Sequence, residues 1–141
     1  MTLNEFVKKY NGTKIDFDKA YGAQCVDLFR QYCADVLEIG HTGSVDGAKD
    51  LFLKYDVLSK EKKVFCRIKE QLGTYYKQGD VLIWNATKTN PYGHVAILLS
   101  EMSGDFVVFE QNGMKQDGAK IVLRSRENLL GALRFFGDYK L

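Results

Sequence analysis

The chain has 141 residues, which reads as one domain over 1–141, large enough to bury a core without disulfide staples. One Pro, thirteen Gly and no low-complexity tract argue against disorder. The net charge of +2 gives no argument for a nucleic-acid partner and does not exclude an anionic polymer as substrate, and no apolar run is long enough to suggest an integral membrane protein.

The first half is helical in pattern. Thr2-Leu3-Asn4-Glu5 is a capping-box signature. Leu3, Phe6, Val7 and Tyr10 follow at helical spacing, and Asn11-Gly12 stops the helix. Residues 13–24 read as an acidic, irregular loop. A second helix is predicted over about 24–37, with Val26, Phe29, Cys33, Val36 and Leu37 on one apolar stripe and Gly40 and Gly43 ending it. A shorter helix over 46–55 carries Ala48, Leu51, Phe52 and Tyr55 on one face.

The second half switches to strands. Residues 81–84 follow the turn Gly79-Asp80, 94–99 form a nearly continuous apolar run, and 106–110 follow Ser103-Gly104-Asp105. Strands over 120–123 and 129–136 complete the set. Short turns between them favour an antiparallel meander. Helices first and strands after give an α+β fold, with the N-terminal helices packed on an antiparallel sheet.

The three cysteines, Cys25, Cys33 and Cys66, are not spaced as a disulfide framework or a zinc site. Cys25 and Cys33 on one helix would stand about 12 Å apart along its axis, too far to bridge. A free cysteine is most often a buried inert thiol. Cys25, however, opens a helix after a loop, where a helix N-terminus favours a thiolate and offers N–H groups to an oxyanion. Gln24 is a second candidate donor for that oxyanion. A thiol nucleophile needs a base. His41 lies in a turn and reads as solvated, whereas His94 follows Gly93 at the start of an apolar strand. A base in turn needs an acceptor to orient it. Glu110 ends the strand after that of His94, and a hairpin near Gly104 would bring both to one end. Asn112, two residues on, is the alternative orienter.

With these pieces in view the chain resembles the CHAP domains. These are the cysteine- and histidine-dependent amidohydrolase/peptidase modules of phage endolysins and bacterial wall hydrolases, relatives of the papain-like peptidases. The resemblance rests on Tyr21-Gly22-Ala23-Gln24-Cys25-Val26-Asp27-Leu28, Asp46-Gly47-Ala48-Lys49-Asp50, Gly79-Asp80-Val81, Gly93-His94-Val95-Ala96-Ile97 and Phe109-Glu110-Gln111-Asn112. It implies a papain-like fold and hydrolysis of a peptidoglycan amide, either as a stem or cross-bridge endopeptidase or as an N-acetylmuramoyl-L-alanine amidase. It makes Cys25 the nucleophile, His94 the base, Glu110 the orienting acid and Asn112 an auxiliary polar group. The N-terminus lacks the apolar stretch of a secretory signal peptide, so the chain reads as made in the cytoplasm or as a domain of something larger, and the resemblance implies action on the wall after release or from a virion, with any wall-binding domain or partner outside this chain.

Asp27 follows Cys25 by two helical positions, a rotation of about 200°, so it points away from the thiol face, a poor catalytic partner that could return to the acidic loop. Some phage CHAP domains bind calcium in this region, and the resemblance maps a structural Ca²⁺ to Asp16, Asp18 and Asp27 with carbonyls of Ala20 and Gly22, oxygen donors of the kind Ca²⁺ takes. The competing reading is a solvated loop with Asp27 paired to a Lys or Arg. At the level of function the alternatives are a papain-like scaffold kept for binding, and the same chemistry in a cysteine amidase toxin or tail-associated wall peptidase.

Overall fold

The computed structural model describes residues 1–19, 22–41, 45–112 and 117–137. Helices come first and an antiparallel sheet follows, the α+β order read from the sequence. Helix α1 is Leu3–Tyr10, with Thr2 Oγ1 accepting the Glu5 N–H at 3.0 Å. Helix α2 is Cys25–Tyr32, and it continues through a π-helical turn, Cys33–Leu37, that ends on Glu38 in the left-handed region. The wider turn keeps Cys33, Val36 and Leu37 all buried. Helix α3 is only Asp50–Leu53, followed by a 3₁₀ turn, Tyr55–Val57. The predicted helix over 46–55 is therefore shortened at its start. Residues 46–49 turn instead, because the Lys49 N–H bonds the Tyr92 carbonyl at 3.0 Å.

Helix α4, Glu61–Val64, leads into strand β1, Phe65–Lys69, and the sequence pattern foretells neither. Only Phe65 of β1 is fully buried, so the strand carries almost no hydrophobic signal. Strands β2 (Val81–Trp84), β3 (His94–Met102), β4 (Asp105–Glu110), β5 (Lys120–Arg124) and β6 (Leu129–Phe135) follow. Their order in the sheet is β1-β6-β2-β3-β4-β5. The meander holds from β2 to β5 and then breaks, because β6 crosses back to pair with β2, Val81 opposite Leu133. Burial explains this. Leu129, Ala132 and Leu133 of β6 are buried and need an interior place, whereas Ile121 and Leu123 of β5 are exposed and suit an edge.

Both sheet faces are buried. Val81, Ile83, Val95, Ile97 and Phe109 pack with Leu3, Phe6, Leu28, Phe29 and Tyr32 of the helices. Leu82, Trp84, Ala96, Leu98 and Val108 form a second cluster on the other face. That two-sided burial makes β2 and β3 read as continuous apolar runs. Each fully buried large side chain contributes about 1.5–3 kcal/mol. Among the described residues, no helix is long and apolar enough to cross a membrane.

Candidate active site

Cys25 is the first residue of α2 and is half-buried. The loop that delivers it is tied down from the end of β4. Gln111, fully buried, accepts the Ile15 N–H through Oε1 at 2.7 Å. Its Nε2 donates to the carbonyls of Ile15 at 2.7 Å and Gln24 at 2.8 Å. Asn112, in the left-handed region, donates through Nδ2 to the Ala23 carbonyl. Asp27 Oδ2 accepts the Gln24 N–H at 2.9 Å, so its side chain turns back to the helix start. The Gln24 side chain is exposed beside the thiol.

His94 is held from below by a tightly packed loop. Gly93 has φ +76°, and a Cβ there would stand 2.5 Å from the Trp84 carbonyl oxygen and 2.8 Å from Lys49 Cβ. A Cβ at Gly47 would stand 2.7 Å from the Tyr92 carbonyl. The segment Asp46-Gly47-Ala48-Lys49-Asp50, to which the sequence assigns no role, thus buttresses the loop before His94. Across the sheet His94 pairs with Trp84, their ring centroids 5.9 Å apart.

The two sides meet at the imidazole. His94 and Glu110 are both buried, and His94 Nε2 lies 3.1 Å from Glu110 Oε1, close but off the line of an ideal hydrogen bond. The His94 side chain also hydrogen-bonds Cys25, which leaves Nδ1 for the thiol. Glu110 itself is gripped from β5, where Arg124 places Nε on Oε1 and Nη2 2.9 Å from Oε2. The geometry therefore separates the two candidate orienters. Glu110 faces the imidazole, and Asn112 bonds the loop that carries the thiol. His41 departs from the solvated reading, since it is half-buried with its ring edge-on to Phe17 at 5.3 Å.

The protonation states follow from these contacts. Burial acts to push the His94 pKa down, but the hydrogen bond to Cys25, the close contact with Glu110 and the charges of both outweigh it and hold the imidazole up at about 9. Burial acts to raise the Glu110 pKa, and the hydrogen bonds and charges of Arg124 and His94 outweigh it, holding the carboxyl down at about 2. A thiol, an imidazole that favours its protonated form and a fixed carboxylate are the components of nucleophilic acyl transfer. A cleft of about 290 Å³ opens beside them, lined in part by Trp84, Asn85, His94, Arg124, Ser125 and Asn128.

On the far side of α2, carboxylate oxygens of Asp16, Asp18 and Asp27 all lie within 4.8 Å of one another. Oxygens on a Ca²⁺ sphere of 2.3–2.6 Å radius span up to about that distance. Asp16 Oδ1 and Asp27 Oδ1 are buried without a hydrogen bond, so the donor set fits a hard cation. Burial raises the Asp27 pKa against the lowering effect of its bond to Gln24 N–H. Arg30 is also present, with Nη1 3.4 Å from Asp18 Oδ2 and 3.9 Å from Asp27 Oδ1. Part of the competing reading, a loop neutralised by an arginine, is thus seen as well. Gly22 stands in the same loop with φ +72°, while Ala20, like Tyr21, Gly43 and Gly113, lies outside the described residues.

A CHAP domain family model matches residues 14–112, and the chain belongs to the CHAP domain family. Among solved structures it is similar to the wild-type endolysin LysIME-EF1, at 25% identity and a TM-score of 0.74, over 95% of this chain and 64% of that one. It is also similar to Ly7917, at 18% identity and a TM-score of 0.71, over 96% of this chain and 62% of that one. Ly7917 with the hydrolyzing product of MDP matches at 19% identity and a TM-score of 0.72, over 97% of this chain and 64% of that one. The chain thus spans less than two thirds of the length of these solved proteins. No curated protein matches it.

Proposed function

We propose that this domain is a peptidoglycan hydrolase that cleaves an amide bond through Cys25, His94 and Glu110. The observation that carries the reading is the buried His94 imidazole set between the Cys25 side chain and Glu110 Oε1, inside a chain of the CHAP family. In the first step the Cys25 S–H proton passes to His94 as Sγ attacks the carbonyl carbon, and the negative charge moves to the oxygen. Backbone N–H groups at the start of α2, with the Gln24 side chain, stabilise that oxyanion. His94 then gives its proton to the departing amine, leaving a thioester on Cys25. In the second step His94 takes a proton from water, which attacks the thioester and releases the carboxylic acid and the thiol. Glu110 keeps the imidazole oriented and offsets its charge throughout.

A structural calcium ion belongs to the same proposal. Asp16, Asp18 and Asp27 would hold it through their carboxylates, and the ion would stiffen the loop ahead of Cys25 rather than take part in the reaction.

The decisive assay is loss of turbidity in a suspension of purified Gram-positive walls. The wild-type chain is expected to clear them, and Cys25→Ala to lose all measurable activity. An active Cys25→Ala protein would falsify the nucleophile assignment, and walls left intact by the wild type would favour a binding module instead. Mass spectrometry of the released muropeptides then names the bond.

A further inference from the structure

Arg124 is not required by a cysteine–histidine–carboxylate site, yet it is built into this one. It stands on the edge strand β5, opposite Phe106 of β4, and its side chain reaches along the sheet to Glu110. The grip uses both carboxylate oxygens, a fit that only the planar guanidinium fork supplies. On its other side the guanidinium lies 5.7 Å from the centroid of the Trp84 ring, which also flanks His94. Trp84 is fixed in turn, since its Nε1 donates to the carbonyl of Ser125, the residue after Arg124, at 3.1 Å. Glu110 is closed off from solvent, whereas the Arg124 side chain is about a quarter exposed.

A buried carboxylate with the imidazole as its sole partner has two easy failures. It can protonate, or it can rotate Oε1 away from Nε2. A two-point grip on both oxygens removes both. The guanidinium charge by itself acts the other way, because it repels an imidazolium. Charge and fork therefore have opposite signs at His94 and can be told apart. The groups that face the imidazole are Cys25 from α2, Glu110 from β4, Arg124 from β5 and Trp84 from β2, while Glu127 lines the adjoining cleft.

We propose that Arg124 is a positioning residue for the site: its fork aims Glu110 Oε1 at His94 and so keeps the imidazole aligned for Cys25. The proposal rests on the hydrolase reading, but it can be tested without a wall substrate. Iodoacetamide alkylates a thiolate, forming an S–C bond and expelling iodide. Its rate at Cys25, read by mass spectrometry because Cys66 is half-exposed too, reports how well the imidazole serves the thiol. Arg124→Gln is expected to slow Cys25 alkylation about tenfold at pH 7. On purified walls it is expected to lower kcat by a similar factor, with KM within twofold.

Arg124→Lys keeps the charge without the fork and is expected to stay close to Arg124→Gln. Full recovery in the lysine variant would overturn the fork as the cause. Removing Arg124 strands a buried carboxylate, so the single variant risks misfolding. The pair Glu110→Gln and Glu110→Gln/Arg124→Gln avoids that by removing the acid first. If Arg124 acts through Glu110, the two alkylate at rates within twofold of each other. A further tenfold loss in the double variant, or wild-type alkylation in Arg124→Gln, would overturn the proposal. Normal alkylation behaviour in a protein that leaves walls intact would sink the hydrolase reading and leave the role of Arg124 standing.

Discussion

The two halves of the site are built differently. His94, Glu110 and Arg124 stand on three successive strands of one sheet, and their contacts run between side chains whose backbones are locked in register. Cys25 arrives on a helix whose preceding loop includes Lys19 and Gly22 at positive φ and is held by side chains borrowed from the end of β4. Two buried carboxylate oxygens in that loop region have no hydrogen bond. The base side is therefore rigid by construction, while the nucleophile side depends on individual ties that can be removed one at a time.

The largest expected effect comes from breaking the rigid half. Gly93→Ala forces a left-handed φ on a residue with a Cβ, at a cost of about 1–2 kcal/mol, and drives that Cβ into the Trp84 carbonyl. We expect a loss of about 3 kcal/mol in denaturant unfolding, or about 12 °C in Tm. Wall clearance should fall with it even in the fraction that remains folded, because the residue that shifts is next to His94. A Gly93→Ala protein as stable and active as wild type would show that the base side is more compliant than its packing indicates.

The loop half is tested by Gln111→Ala. The substitution strands the buried Ile15 N–H and carbonyl and removes one of two bonds to the Gln24 carbonyl, which keeps the Asp27 N–H. Unpaired buried groups cost about 1–3 kcal/mol, so a loss of about 2 kcal/mol, or about 8 °C in Tm, is expected. Activity should fall more steeply than stability, since the lost bonds position the thiol and not the core. Equal unfolding midpoints for variant and wild type would remove Gln111 as a tie.

The same contrast sets what a reader of the sequence can see. Strands β2, β3 and β4 announce themselves as apolar runs, and Cys25, His94 and Glu110 stand at the ends of legible elements. The choice between Glu110 and Asn112 needs the structure, because Asn112 lies past the strand with its side chain turned to Ala23. Gln111 is fully buried, yet a glutamine at a strand end reads as a solvent-facing residue. Its polarity is spent on backbone groups 87 and 96 residues away, and no local pattern encodes that. Arg124 is hidden for a similar reason, since its partner is on the neighbouring strand. Strand β1 carries a single buried residue, and the return of β6 to β2 is a decision between edges that only the burial of whole strands settles.

Calcium sharpens the comparison with the smallest expected effect. If Asp16, Asp18 and Asp27 hold the ion, the folded chain binds it and the unfolded chain does not, so stability rises by RT ln(1 + [Ca²⁺]/Kd). At tenfold over Kd this is about 1.4 kcal/mol, or about 5 °C in Tm. EGTA should remove that increment and Ca²⁺ should restore it, in Cys25→Ala as in the wild type, because the ion acts on the loop and not on the reaction. Arg30 sets the scale of the effect. Its guanidinium already faces Asp18 and Asp27, so the loop has a counter-charge of its own. Replacing it with Gln should lower stability in EGTA and widen the gap that calcium closes. A melting temperature indifferent to EGTA in both backgrounds would remove the ion and leave the loop carboxylates to protein contacts such as Arg30 and the Gln24 N–H. The nucleophile side would then be held by protein contacts alone, as the base side is.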